Sequence, residues 1–390
     1  MPKKKLKKGS PFASNTPLRV KKSYYTFSRH YPAGNLTIKN MRSRNTRSHK
    51  MRMAAGIAGF VLLVVLAFFT VSLALDISYK APDESVSQSQ KAEKPFLKTE
   101  GVKALYMPYS RLGDEKYIKS FISRIKRKNA TSVVIDFKTS QGKLAYTSLD
   151  NYAIKGKCAL FDNDTVRKAI NLFEQENIHV IAGIYCFEDS AVAAAVKGIS
   201  VKYMDTEVNW LDSDGNGWLN PCSKRTWRYI TNIMLELNKM GITGFLLNSA
   251  SFPDSSNDSA AAYPGLRQYK NKNEVISQFM NQVKSKLPKD CFVLVGMGAK
   301  EGASQKSAQM KIGVADGFAV NTLDRDEKYI LDKKTDFTSV LSLYTTIQNN
   351  AQKKAFVPII DMQEYSGSYL RHMKKAGFEN FILYNENGEY

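Results

Sequence analysis

The chain has 390 residues, 43% of them hydrophobic, enough for one large folded domain with appendages or for two to three average domains. Its formal net charge of +21 suggests a nucleic-acid binder until it is split by position: residues 1–52 hold 15 Lys and Arg and no Asp or Glu, which leaves 42 basic (57 less 15) against 36 acidic side chains elsewhere. The body is only mildly basic, and four cysteines without a C-x-x-C pair beside four histidines exclude a Cys/His zinc centre, so no metal and no cofactor is expected.

Residues 1–52 form a basic, polar arm with no sustained period, too poor in apolar surface to fold alone. Tyr24, Tyr25, Phe27 and Tyr31 interleave with the basic residues, a pattern that suits anionic lipid or a cytoplasmic partner; nucleic acid is the lesser alternative. Residues 53–75 carry no charge and are long enough to cross a bilayer as a transmembrane helix. The basic flank sets the N-terminus in the cytoplasm and the rest outside, at the cell membrane. A cleaved signal peptide ending near Ser72-Leu73-Ala74 is the rival reading, against which stand the length of the preceding arm and of the apolar run. Residues 76–100, rich in Ser, Gln, Lys, Glu and Pro, read as a flexible linker.

From Gly101 short apolar runs alternate with amphipathic segments. Strands are expected at 102–107, 132–137, 179–187, 243–247, 291–297, 316–320, 355–360 and 380–384. Helices are expected at 114–128, 164–176, 224–240, 273–287, 337–352 and 366–376, with a short one before the sixth strand and Asn163 or Asp164 as the cap of the second. Eight strands alternating with helices over residues 101–390 predict an α/β fold, a (β/α)8 TIM-type barrel. An open doubly wound sheet would want a Gly-rich phosphate loop after the first strand, and Tyr106-Met107-Pro108-Tyr109-Ser110 is not one. Cys158, Cys186, Cys222 and Cys291 read as small buried groups, with a Cys186–Cys222 bridge left open.

In such a barrel the chemistry sits at the C-terminal strand ends. There the chain delivers Asp136 and Lys138, two residues apart and so on one face of an extended strand. It also delivers Glu188 and Asp189, Asn248, Asn321 and Asp361. Asp136, Asp361 and Glu188 are the candidate catalytic carboxyls; Lys138, Asp189, Trp218, Asn220, Asn248 and Asn321 are the candidate substrate-binding groups. The segment from Asp212 to Gly217 looks like half a calcium loop, but the twelfth position is Ser223 where a bidentate Glu is wanted, so it reads as a turn-rich rim loop.

Four segments carry a family resemblance. Ile135-Asp136-Phe137-Lys138 with Gly142 and Tyr146 resembles I-D-V-K…G…Y, and the stretch from Ala182 to Asp189 is similar to A-R-I-v-x-F-x-D. Trp218-Leu219-Asn220-Pro221 with Trp227 and Tyr229 resembles W-L-N-P…W-x-Y, and Gly241 through Pro253 resembles G-F-D-E-I-x-F-D-Y-[IV]-R-F-P. These are motifs of a bacterial family of membrane-anchored or secreted glycosyl-hydrolase-like TIM barrels, of which this chain looks like a divergent member. The resemblance covers about residues 101–260; beyond that only the strand rhythm persists. It implies a domain that acts on or binds envelope or extracellular polysaccharide, through two carboxyls roughly 5–10 Å apart if it hydrolyses. Asn248 stands where the family has an acid, and Ser251 and Gly183 stand where it has Arg, so binding without turnover is the alternative reading.

Overall fold

The computed structural model describes residues 101–298, 315–321, 355–362, 375 and 379–390. The arm, the apolar span at 53–75, the linker and the helices expected at 337–352, at 366–376 and before the sixth strand lie outside the described residues. Among the described residues, no helix is long and apolar enough to cross a membrane.

The apolar runs become strands β1 (Lys103–Tyr106), β2 (Ser132–Lys138), β3 (His179–Tyr185), β4 (Gly244–Asn248), β5 (Phe292–Gly298), β6 (Gly317–Asn321), β7 (Ala355–Asp361) and β8 (Phe381–Tyr384). All pair in parallel and close into a barrel in which β8 lies beside β1. Parallel strands are covered on both faces, which is why they appear in the sequence as continuous apolar runs rather than as an alternation. The inner face carries Val102, Ala104, Val134, Ile181, Leu246, Phe292, Leu294, Ala319, Val357 and Ile382. The outer face packs against the amphipathic helices α1 (Glu115–Arg127), α2 (Asn163–Gln175), α3 (Lys224–Lys239) and α4 (Lys272–Lys286), which bury Phe121, Phe173, Trp227 and Phe279.

Each helix starts on a side chain that satisfies an orphan amide: Asp114, Asp162, Ser223 and Asn271 accept from Tyr117, Thr165, Thr226 and Glu274. The cap of α2 is thus Asp162, one residue earlier than Asn163, because Asp162 keeps the extended backbone a cap requires. Asn163 instead accepts from the Thr147 amide.

One end of the barrel is plugged. The Phe292 ring lies over Gly244, where an added Cβ would come within 2.6 Å of it, so the glycine makes room for the plug. The other end is open and walled by two loops. The β3–α3 loop folds on itself through the bridges Glu188↔Trp218, Ser200↔Leu219 and Leu211↔Gly217. Its strand Lys202–Tyr203 pairs antiparallel with Ala261–Ala262 of the β4–α4 loop. All four cysteines are free and buried, so Cys186 and Cys222 do not pair.

Candidate active site

At the open end the last inward residues of the strands surround a cavity of about 690 Å3. β1, β3 and β8 contribute Tyr106, Tyr185 and Tyr384; β2 and the β3 loop contribute Asp136 and Glu188. Across from them β4 to β6 contribute Asn248, Ser249, Gly296, Gly298 and Asn321. One wall is aromatic and acidic, the other small and uncharged.

Asp136 is held from two sides. The Tyr106 hydroxyl donates to its Oδ2 at 2.8 Å, and the Tyr106 ring leans on Tyr384 with centroids 4.7 Å apart. Oδ1 lies over Gly183 of β3, the register partner of Asp136, so closely that an added Cβ would sit 2.1 Å from it. The carboxylate touches the cavity but protein atoms surround it on most sides. Burial pushes its pKa up to about 6, against the opposing pull of the Tyr106 hydrogen bond. Burial and the neighbouring Asp136 hold Tyr106 far above the ordinary phenol value, so it remains a neutral donor. Gly183→Ala should therefore displace the carboxylate from Tyr106 while leaving the barrel folded. A shift of this size at a reacting group costs on the order of 10²-fold in rate, to be read in the hydrolysis assay described below beside an unchanged thermal unfolding curve.

Glu188 stands at the top of β3, with the Ser249 hydroxyl donating to its Oε2 at 2.9 Å. Burial raises its pKa; Ser249 and Lys138 pull it down, and Asp212 and Asp214 on the rim push it up. Asn248 repeats the geometry of Asp136 two strands further round, its carboxamide oxygen lying where a Cβ on Gly296 would come within 2.3 Å.

The structure thus brings Asp136, Glu188, Asn248 and Asn321 to one cavity, and sets four other residues of the sequence-derived group outside it. Lys138 does not share the face of Asp136, because the β2–β3 register slips between Asp136 and Lys138 and a bulge breaks the alternation. Lys138 instead turns into the layer between barrel and helices and pairs with Asp189 at 2.9 Å, both side chains fully buried. Asp189 also caps the short helix Ser190–Ala195 through the Val192 amide. Trp218 donates its indole N–H to Asp212, and Asn220 spans Pro264 O and the Cys222 amide, so both pin loops. Asp361 ends β7 beside Tyr384, and its side chain lies outside the described residues.

The Asp212–Gly217 segment satisfies itself, the Asp212 carboxylate accepting from Asp214 N, Asn216 N and Trp218 Nε1. Among the described residues no cluster of three or more His, Cys, Asp or Glu is placed to hold a metal.

Sequence reasoning passed over Tyr106, Tyr185 and Tyr384. The signal was available in strand parity: Tyr106 follows Val102 and Ala104 at steps of two, as Tyr384 follows Ile382.

These features define a TIM-barrel protein with a carboxyl-bearing cavity at the C-terminal ends of its strands. The chain belongs to the family described as "Putative glycosyl hydrolase domain", whose model matches residues 104–313, just over half of the chain. The match runs on through β5, well past the segments that carry the sequence motifs. Among solved structures, the chain is similar to a hypothetical protein from Ruminiclostridium thermocellum ATCC 27405, at 23% identity over 49% of this chain and 96% of that one, TM-score 0.45. It is similar to the glycoside hydrolase domain of PelA from Pseudomonas aeruginosa, at 12% identity over 74% and 96%, TM-score 0.44. It is also similar to the chitobiase of Flavobacterium johnsoniae, at 11% identity over 73% and 44%, TM-score 0.49. No curated protein matches the chain.

Proposed function

We propose that the barrel is a glycoside-hydrolase-type domain acting on cell-envelope or extracellular polysaccharide, with Asp136 as proton donor and Glu188 as the second carboxyl. The observation that carries this reading is the pair itself. Of the carboxyls that line the cavity, which include Glu386 after β8, the two from β2 and the β3 loop are each held by a neutral hydroxyl, and burial raises the proton affinity of each. Cleavage of a glycosidic bond needs one carboxyl that can give a proton and one that can face the developing positive charge, and unequal environments divide those roles. The Tyr106, Tyr185 and Tyr384 side chains line the same cavity, where aromatic rings suit the apolar faces of a sugar.

A second reading is a glycan-binding domain without turnover, favoured by Asn248, which stands where the family resemblance expects an acid and cannot move a proton. A glycan array followed by a hydrolysis screen of the full chain in detergent, with Asp136→Asn as control, separates the two. Turnover lost in the control supports the first reading, and binding with no turnover in either protein supports the second.

In the same proposal residues 53–75 anchor the barrel outside the cell membrane, with residues 1–52 in the cytoplasm; the support is the one-sided basic charge beside an uncharged span. Protease added to intact cells is expected to remove the barrel and spare the arm; an arm cut before lysis would reverse the orientation.

A further inference from the structure

We propose that Ser249 is a positioning residue, kept in an unfavourable backbone conformation so that its hydroxyl orients the Glu188 carboxylate. The proposal rests on the reading of Glu188 as one of the two reacting carboxyls. Five non-glycine residues among those described have positive φ. Asn129, Lys157 and Asn177 each come one residue after a helix C-cap, where a left-handed residue is the usual way to end a helix. Asp205 sits in the turn that Thr206 closes onto Tyr203. Ser249, at φ +46°, follows a barrel strand instead, at the mouth of the cavity. Glycine adopts this conformation without the Cβ penalty, so backbone geometry alone favours glycine at position 249.

What serine adds is its hydroxyl. Oγ donates to Glu188 Oε2 at 2.9 Å, and main-chain bonds from the two residues just before Glu188 continue the β3–β4 pairing past the end of β3. The Cys186 amide donates to Asn248 O at 2.8 Å and the Phe187 amide to Ser249 O at 3.2 Å. A left-handed turn at 249 ends the strand while keeping the side chain on the Glu188 side. Strained residues of this kind persist where the surrounding structure over-determines them, and they gather at functional sites.

The charged groups facing Glu188 come from two elements, β2 and the rim loop. Lys138 of β2 approaches its main-chain oxygen at 3.5 Å and is itself paired with Asp189, while Asp212 and Asp214 face it from the rim loop. Without the Ser249 hydroxyl, burial and the two rim acids are opposed by Lys138 alone, and Glu188 should hold its proton more tightly.

The test is a carbon-detected NMR titration of the Glu188 carboxyl in the full chain in detergent, its signal assigned by loss in Glu188→Gln. Ser249→Ala and Ser249→Gly are both expected to move the Glu188 midpoint upward, while Ser249→Gly unfolds at a temperature no lower than the parent. An unmoved midpoint in both variants overturns the proposal. So does a Ser249→Gly protein that melts several degrees lower, since the hydroxyl would then serve the fold. The titration uses no substrate, so it gives its answer even if the barrel proves to bind glycan without cleaving it.

Discussion

Asp136→Asn is expected to lower glycan hydrolysis by about 10²–10⁴-fold, the usual contribution of a positioned general acid, and at the same time to stabilise the domain above pH 6. The two effects share one cause. In the folded barrel the carboxyl takes up its proton near pH 6, against an ordinary value of 3.8. Between those values the folded state binds more protons than the unfolded chain, so unfolding free energy falls as pH rises through about 4 to 6 and is level above. At pH 7.5 the folded protein then carries the cost of a poorly solvated anion, about 2–3 kcal/mol. Asparagine has nearly the same shape and no charge, and it can still accept from Tyr106. It should remove both the cost and the pH dependence. Chemical denaturation at pH 4.5 and 7.5 measures the stability difference, and the pH–rate profile measures the role. If Asp136 gives the proton, the parent's rate falls about tenfold per unit above pH 6. Full activity in the variant would remove Asp136 from the chemistry; equal stability of the two proteins at pH 7.5 would mean that the carboxylate is well hydrated in the mouth. A gain in stability joined to a loss of rate is the signature of a group kept for function.

The barrel was legible because its physics is written in runs. Each strand, buried on both faces, shows as an unbroken apolar segment, and each of the four long helices described shows its buried stripe, as Ile118, Phe121, Ile122 and Ile125 do in α1. Strand ends then placed Asp136, Glu188, Asn248 and Asn321 at one rim without any knowledge of contacts. Lys138 shows where this logic stops. Two-residue alternation sends it to the cavity beside Asp136, but one bulge reverses it, and nothing in Ile135-Asp136-Phe137-Lys138 announces a bulge. Trp218 and Asn220 look like ligand contacts because Trp and Asn often are; their actual partners, Asp212, Pro264 and Cys222, depend on how a long loop folds back. Ser249 sits in a polar run after an apolar strand, but nothing in the sequence announces its left-handed backbone, since serine carries no such preference. The Gly183 and Gly296 floors were hidden for a related reason: a glycine in a strand marks a close approach without saying which side chain approaches.

Lys138→Met should be among the most destabilising single changes in the domain, although it removes no group from the cavity. The Lys138 ammonium and the Asp189 carboxylate are both wholly shielded from water. The ammonium also donates to Tyr185 O at 2.6 Å, and Asp189 accepts from the Val192 amide and from the Tyr229 hydroxyl at 3.3 Å. Asp189 has no room to escape: Gly142, at φ +79°, lies so near that an added Cβ would sit 2.0 Å from its Oδ1. Removing the ammonium leaves an enclosed anion with hydroxyl and amide donors only, a change that typically costs about 3–5 kcal/mol. In a domain of this size that lowers the unfolding temperature by roughly 10 °C. Neutralising the partner as well should recover much of the loss, because the penalty lies in the orphaned charge rather than in the missing pair. Lys138→Met with Asp189→Asn is therefore expected to melt several degrees above Lys138→Met alone, the remaining deficit reflecting the lost donation from Lys138 to the Tyr185 carbonyl. Thermal unfolding of the three proteins decides this, with glycan binding measured well below the lowest transition. A Lys138→Met protein that keeps its unfolding temperature but loses glycan binding would return Lys138 to the cavity, where alternation along β2 first placed it.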